Sequence, residues 1–91
     1  MWDWDEDKRR ANRAKHGVDF AEIDGFDWET CTHATDDRFD YGEPRIVSAG
    51  AIAGRLHLVV WTPRGAVRRI ISLRKANDRE EKAYRFARAA D

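Results

Sequence analysis

At 91 residues, 42% of them hydrophobic, the chain has room for one core and not two, since a domain this small buries only about 60–65% of its unfolded surface. Its 17 basic side chains balance 17 acidic ones, yet residues 1–41 hold 12 acidic against 6 basic and residues 42–91 hold 5 against 11, so zero net charge does not exclude a nucleic-acid partner. One cysteine, Cys31, excludes an internal disulfide and a cysteine-based zinc cluster, and no apolar run approaches the roughly 20 residues that span a bilayer.

The acidic opening Met1 to Asp7 is unlike a basic-then-apolar secretory leader, so a cytoplasmic chain is expected. Trp2 to Trp4 reads as a short strand, and Asp5 is placed to cap a helix whose first turn, Glu6 and Asp7, suits the positive dipole end. That helix should run to about His16, with Gly17 in the left-handed position behind it. Asp19 and Glu22 have capping-box spacing, with Val18 and Ile23 as the staple, and predict a second short helix ending at Gly25. Trp28 to Thr35 mixes aromatic and β-branched residues as a strand does, and Asp36 to Pro44 reads as a loop.

Two further strands, Arg45 to Ala49 and Arg55 to Thr62, flank the glycine-bounded connection Gly50 to Gly54, with a second turn at Pro63-Arg64-Gly65. Ala66 to Leu73 is the last strand. A final helix is expected from Asn77 or Asp78, on the capping-box spacing of Asp78 and Glu81, with Ala83, Phe86, Ala87 and Ala90 as its apolar stripe. The predicted fold class is α+β: one domain over residues 1–91, with a four-stranded antiparallel sheet plus a short N-terminal strand, two N-terminal helices and one C-terminal helix.

Several polar groups are candidates for chemistry, each with a bland alternative. In strict alternation Val67, Arg69, Ile71 and Leu73 share the core face of the last strand, and Arg68, Ile70, Ser72 and Arg74 the other. Arg69 is then a guanidinium among apolar groups, either ion-paired to an Asp or Glu from a helix or a phosphate clamp. Arg74 ends the strand, as solvated charge or as a bidentate phosphate fork. Arg64 lies at a turn tip, and Arg45 sits next to Glu43, its obvious salt-bridge partner. Lys8, Asn12 and Lys15 share a helix face, which is usually a solvated face. His16 is a general base near neutral pH or a histidine stabilised by the helix dipole. Tyr84 is a proton donor or a residue packed on the sheet. His57 reads as a core or interface histidine, His33 has no supporting pattern, and no histidine or cysteine pair has metal-ligand spacing. Trp2, Trp4, Trp28 and Trp61 should mostly build the core, any exposed one marking a partner-binding patch.

An ordered set of motifs runs through the chain: Trp4-Asp5-x-x-Lys8; Asn12-x-x-Lys15-His16-Gly17-Val18 with Phe20; Gly42-Glu43-x-Arg45; Thr62-x-Arg64-Gly65; Arg69-Ile70-Ile71-Ser72-x-Arg74-x-Ala76; then Glu80 and Tyr84. This set resembles the BrnT-type toxins of bacterial type II toxin–antitoxin pairs. The chain departs from them at Asp27-Trp28, where the family often has Asp-Pro, and at Ser72-Leu73-Arg74, where it often has Ser-Ala-Arg. Neither departure removes a candidate catalytic group. The resemblance implies a RelE-like fold, endoribonuclease activity that halts translation and growth, and neutralisation by a BrnA-type ribbon-helix-helix antitoxin, through which alone DNA would be met.

Metal-independent cleavage needs a proton acceptor for the 2′-hydroxyl, cations on the phosphate and a donor to the leaving oxygen. The resemblance therefore assigns Arg69, Arg74, Tyr84 and His16 to catalysis, and Lys8, Asn12, Lys15, Arg45 and Arg64 to RNA binding, with no metal or cofactor. The alternative is a non-catalytic protein- or nucleic-acid-binding module that acts through its partner.

Overall fold

The computed structural model describes residues 1–89. Strand β1 (Trp2–Trp4) leads into helix α1 (Glu6–His16), a 3-10 helix (Phe20–Gly25), strands β2 (Thr32–Thr35), β3 (Ile46–Ile52), β4 (Arg55–Arg64) and β5 (Val67–Lys75), and helix α2 (Asp78–Ala89). The predicted α+β class holds. The sheet, however, has five strands in the order β1-β5-β4-β3-β2 and is mixed, since β1 joins its edge parallel to β5 while the other pairs are antiparallel.

Local chemistry explains the first third. The Asp5 carboxylate accepts from the Asp7 and Lys8 amides at 2.8 and 3.1 Å, and Gly17 closes α1 at φ 71°. Asp19 and Glu22 form the capping box of the short helix, which is 3-10 rather than α. Its Phe20 and Ile23, with Val18 and Phe26, are buried on Ile52, Val59, Trp61, Ile70 and Leu73 of the sheet. Fully burying each such large side chain is worth about 1.5–3 kcal/mol. Trp61 is buried in this core, and Trp2, Trp4 and Trp28 pack half-buried around it.

Other boundaries move for identifiable reasons. Residues 28–30 turn rather than extend, because Asp27 accepts from the Glu29 amide and the Thr30 hydroxyl. The segment Gly50 to Gly54 is mostly strand: β3 stays paired with β4 through Ile52↔Arg55, and only Ala53 and Gly54 turn, both left-handed at φ 50° and 79°. Pro63 and Arg64 remain in β4, so the next turn is Gly65-Ala66.

The cap of α2 is Asn77 with Glu80, not Asp78 with Glu81: the Glu80 amide donates to Asn77 Oδ1 at 2.8 Å and the Asn77 amide to Glu80 at 2.9 Å. Its expected apolar stripe is not a packing face. Phe86 is 78% exposed and Ala83 and Ala87 are exposed, while Ala90 lies outside the described residues. Polar contacts hold the helix instead, including Arg55–Glu81 at 3.5 Å and the Tyr84 hydroxyl donating to Thr30 O at 3.3 Å.

A β-bulge overturns the expected facing of β5. Val60 pairs with Ser72 but Trp61 with Ile70, which leaves Ile71 as the extra residue. Ile70 and Leu73 therefore both enter the core. Arg69, Ser72 and Arg74 pair with Thr62, Val60 and Leu58 in turn, alternate residues of an unbroken β4, and so share the opposite face. Strict alternation had split the two arginines between faces.

Candidate functional site

On that face lies a cleft of about 490 Å³ floored by Val47, Leu58, Val60 and Ser72. The C-terminal turn of α1 brings Lys15 and His16 to one wall, the end of β5 brings Arg74, and the start of α2 brings Glu80. Thr35, Asp36, Asp37 and Arg38 form the mouth. Burial, then the charges of Lys15 and Arg74, hold the His16 imidazole below its ordinary 6.5. It is neutral at neutral pH and able to accept a proton.

Arg74 is not free. Its two terminal nitrogens donate to the two Glu80 oxygens at 2.8 and 2.7 Å, which holds the Arg74 charge firmly and pushes the Glu80 carboxyl down. Arg74 and Glu80 thus line the cleft as a bidentate pair. At the mouth, the buried Asp36 accepts from Arg38 at 2.9 and 3.0 Å and from the Tyr41 hydroxyl at 3.3 Å, and the Arg38 contact holds its carboxyl below the usual range.

Further along the same face Asp5, Lys8, Glu43, Arg64, Arg69 and Ile71 line a smaller recess of about 120 Å³. The arginines here are paired too: Arg69 with Asp3 of β1 at 3.4 Å, and Arg64 with Glu43 at 3.3 Å. Arg69 thus has an ion pair, as its bland reading required, but with a strand residue rather than a helix one. Glu43 belongs to Arg64 instead of Arg45, whose guanidinium lies over the Tyr41 ring at 3.8 Å. Lys8 and Lys15 make no salt bridge among the described residues.

Besides Arg45, two more candidates lie elsewhere. Asn12 is buried, and its side chain bonds the backbone: Nδ2 donates to Leu73 O at 2.7 Å and Val18 O at 3.0 Å, and the Leu73 amide donates to Oδ1 at 3.2 Å. It completes the edge of β5 beyond the last β1 pair, Trp4↔Ile70. Tyr84 lines a separate shallow pocket with Ala51, Gly54 and Leu56, and receives an Arg88 bond at 3.1 Å. The structure therefore joins Lys15, His16 and Arg74 in the cleft and Lys8, Arg64 and Arg69 in the recess, and separates Asn12, Arg45 and Tyr84 from both.

In the sequence Glu80 is not marked as a functional group, although Asn77-x-x-Glu80 is itself a legible capping box. Nor is His33, which lies 3.6 Å from Cys31 and bonds the Ser48 hydroxyl, itself taking the Trp61 indole N–H at 2.8 Å. His57 is buried, with Nδ1 donating to Arg55 O at 2.7 Å. No helix is long and apolar enough to cross a membrane, and no group of three or more metal-ligating side chains is found, both among the described residues.

Compared with known families, residues 4–80 match the model described as the ribonuclease toxin, BrnT, of type II toxin–antitoxin systems. No curated protein matches.

Proposed function

The chain belongs to the BrnT family of type II toxin–antitoxin ribonuclease toxins, and from that premise we propose that it is a metal-independent endoribonuclease with its centre in the Lys15, His16 and Arg74 cleft. The observation that carries the proposal is the convergence of His16, Lys15 and Arg74 on one cleft, where burial and the two cations push the imidazole below its ordinary value. Neutral His16 takes the proton of the 2′-hydroxyl, whose oxygen attacks the adjacent phosphorus. Arg74 exchanges Glu80 for the phosphate and stabilises the charge that builds there. The 5′-oxygen leaves with a proton from the Lys15 ammonium, giving a 2′,3′-cyclic phosphate and a free 5′-hydroxyl. Lys8, Arg64 and Arg69 hold the strand further along the same face.

The finer parts of the proposal rest on the motif resemblance: a RelE-like kinship, arrest of translation and growth in the cytoplasm, and a BrnA-type antitoxin. A second reading, a binding module that acts only through its partner, is favoured by the pairing of Arg64, Arg69 and Arg74 with carboxylates. Incubation with single-stranded RNA and a chelator separates the two. Fragments with cyclic-phosphate ends, reduced about 10²- to 10⁴-fold by His16→Ala, support the ribonuclease. Intact RNA would support the binding module, and cleavage only with added divalent cation would overturn metal independence.

A further inference from the structure

Among the described residues Arg68 differs from the carboxylate-paired Arg9, Arg69 and Arg74, and it differs from Arg45, which is likewise unpaired and lies on one aromatic ring, in being held on two. Its guanidinium carbon lies 4.1 Å from the centre of the Trp28 ring and 5.1 Å from that of Trp61. Among the described residues no carboxylate pairs with it, no acceptor reaches its side chain, and its Nε is buried without a partner. A guanidinium held on two indoles keeps a fixed plane and loses water, so an oxyanion that meets its remaining N–H groups binds more strongly than at an exposed arginine. Trp61 and Arg68 also line a pocket of about 260 Å³ at the β4–β5 turn, whose other walls are Pro63, Gly65, Ala66 and Val67. That is smaller than the roughly 300–1,000 Å³ of small-ligand sites, and suits one side chain better than a nucleotide.

The pocket opens from the sheet face opposite the cleft, since Trp61 pairs with Ile70 on the core face while Val60 and Leu58 floor the cleft. Tryptophan and arginine, which meet in this pocket, are also the side chains most enriched at protein–protein hot spots. The geometry points to Arg68 and Trp61 as the socket for an acidic side chain of the antitoxin. The partner is taken from the family assignment, whereas the socket does not depend on where RNA is cut.

The test uses purified full-length antitoxin of the same type II pair, titrated calorimetrically into the wild type, Arg68→Ala, Arg68→Lys and Ala66→Glu, with RNA cleavage followed in parallel. Arg68→Ala should weaken antitoxin binding at least about tenfold, and Arg68→Lys nearly as much, because an ammonium lacks the planar fork. Ala66→Glu, on an exposed turn residue, supplies a competing carboxylate and should weaken binding similarly; it decides the matter should Arg68→Ala fail to fold. Cleavage by each folded variant should equal that of the wild type. Wild-type antitoxin affinity in Arg68→Ala and Ala66→Glu overturns the socket, and lost cleavage with unchanged antitoxin affinity assigns the pocket to RNA phosphate instead. Lost antitoxin binding beside a wild type that cuts no RNA would retain the socket and sink the ribonuclease reading.

Discussion

Glu80 joins Arg74 to the start of α2: one carboxylate accepts the Arg74 fork at 2.8 and 2.7 Å and the Asn77 amide at 2.9 Å. On the proposed mechanism RNA phosphate would compete with Glu80 for the Arg74 fork, while Glu80 also caps α2. Glu80→Gln should free the fork and tighten binding of an RNA blocked at the 2′-hydroxyl by about fivefold, the equivalent of about 1 kcal/mol for a partly exposed pair. The weakened cap should lower the melting temperature by a few degrees. Weaker RNA binding in the variant would mean that Glu80 orients Arg74 rather than blocking it.

On the proposed mechanism His16 should give cleavage a defined acid limb. Its conjugate acid is held below 6.5 by burial, Lys15 and Arg74, so kcat/KM should rise with pH through a value under 6.5 and be level at neutral pH. Removing a cation relaxes that depression: in Lys15→Ala the limb should move to higher pH along with the His16 NMR titration, whatever happens to the rate itself. A limb that stays put while the NMR titration moves would take the general-base role away from His16.

What could be read in the chain divides along physical lines. The caps at Asp5, Gly17 and the Asp19–Glu22 box were legible because their chemistry is complete within four residues, whereas at α2 two boxes one residue apart, Asn77–Glu80 and Asp78–Glu81, were both open to the sequence and the structure uses the first. The bulge at Ile71 was not legible, since it depends on how β5 registers against β4. With it went the knowledge that Arg69 and Arg74 share a face. The pairing partners were hidden for the same reason: Arg69 meets Asp3 across 66 positions of chain. Tyr84 was grouped with the arginines by motif order alone, and order says nothing about the distance from α2 to the cleft.

Asn12 is predicted to matter for stability rather than for RNA. Asn12→Ala leaves the Leu73 N–H, Leu73 O and Val18 O without its amide, and each buried group left unsatisfied costs about 1–3 kcal/mol. Urea unfolding should show a loss of at least about 3 kcal/mol, while cleavage per folded molecule stays near that of the wild type. Asn12→Asp should be worse, because it sets a carboxylate against two carbonyl oxygens. Intact stability with weakened RNA binding would return Asn12 to the RNA-binding set.

Acid should loosen the joint between α1 and the 3-10 helix. Asp19 is lowered from 3.8 to about 2, first by its hydrogen bond from Arg9 and then by the Ala21 amide. The folded form therefore holds fewer protons than the unfolded chain between these values. The stability from Asp19 is whole above pH 3.8 and is lost as pH falls toward 2. The melting-temperature gap between the wild type and Asp19→Asn should close over that window, and a constant gap would assign the acid sensitivity to another carboxylate.

The recess on the cleft face should be read out by salt. Lys8 has no carboxylate partner among the described residues, so on the proposed reading an RNA phosphate would meet it without displacing one, whereas Arg64 and Arg69 would first have to leave Glu43 and Asp3. Each phosphate contact to single-stranded RNA contributes about 0.7 to the slope of log affinity against log salt. Lys8→Ala should therefore weaken binding of a non-cleavable RNA about equally for all sequences and flatten the slope by about 0.7. Arg64→Ala should flatten it less, because its release from Glu43 leaves an unpaired carboxylate that repels the strand. A Lys8→Ala slope equal to that of the wild type would remove the recess from the RNA path and leave the cleft to bind RNA alone.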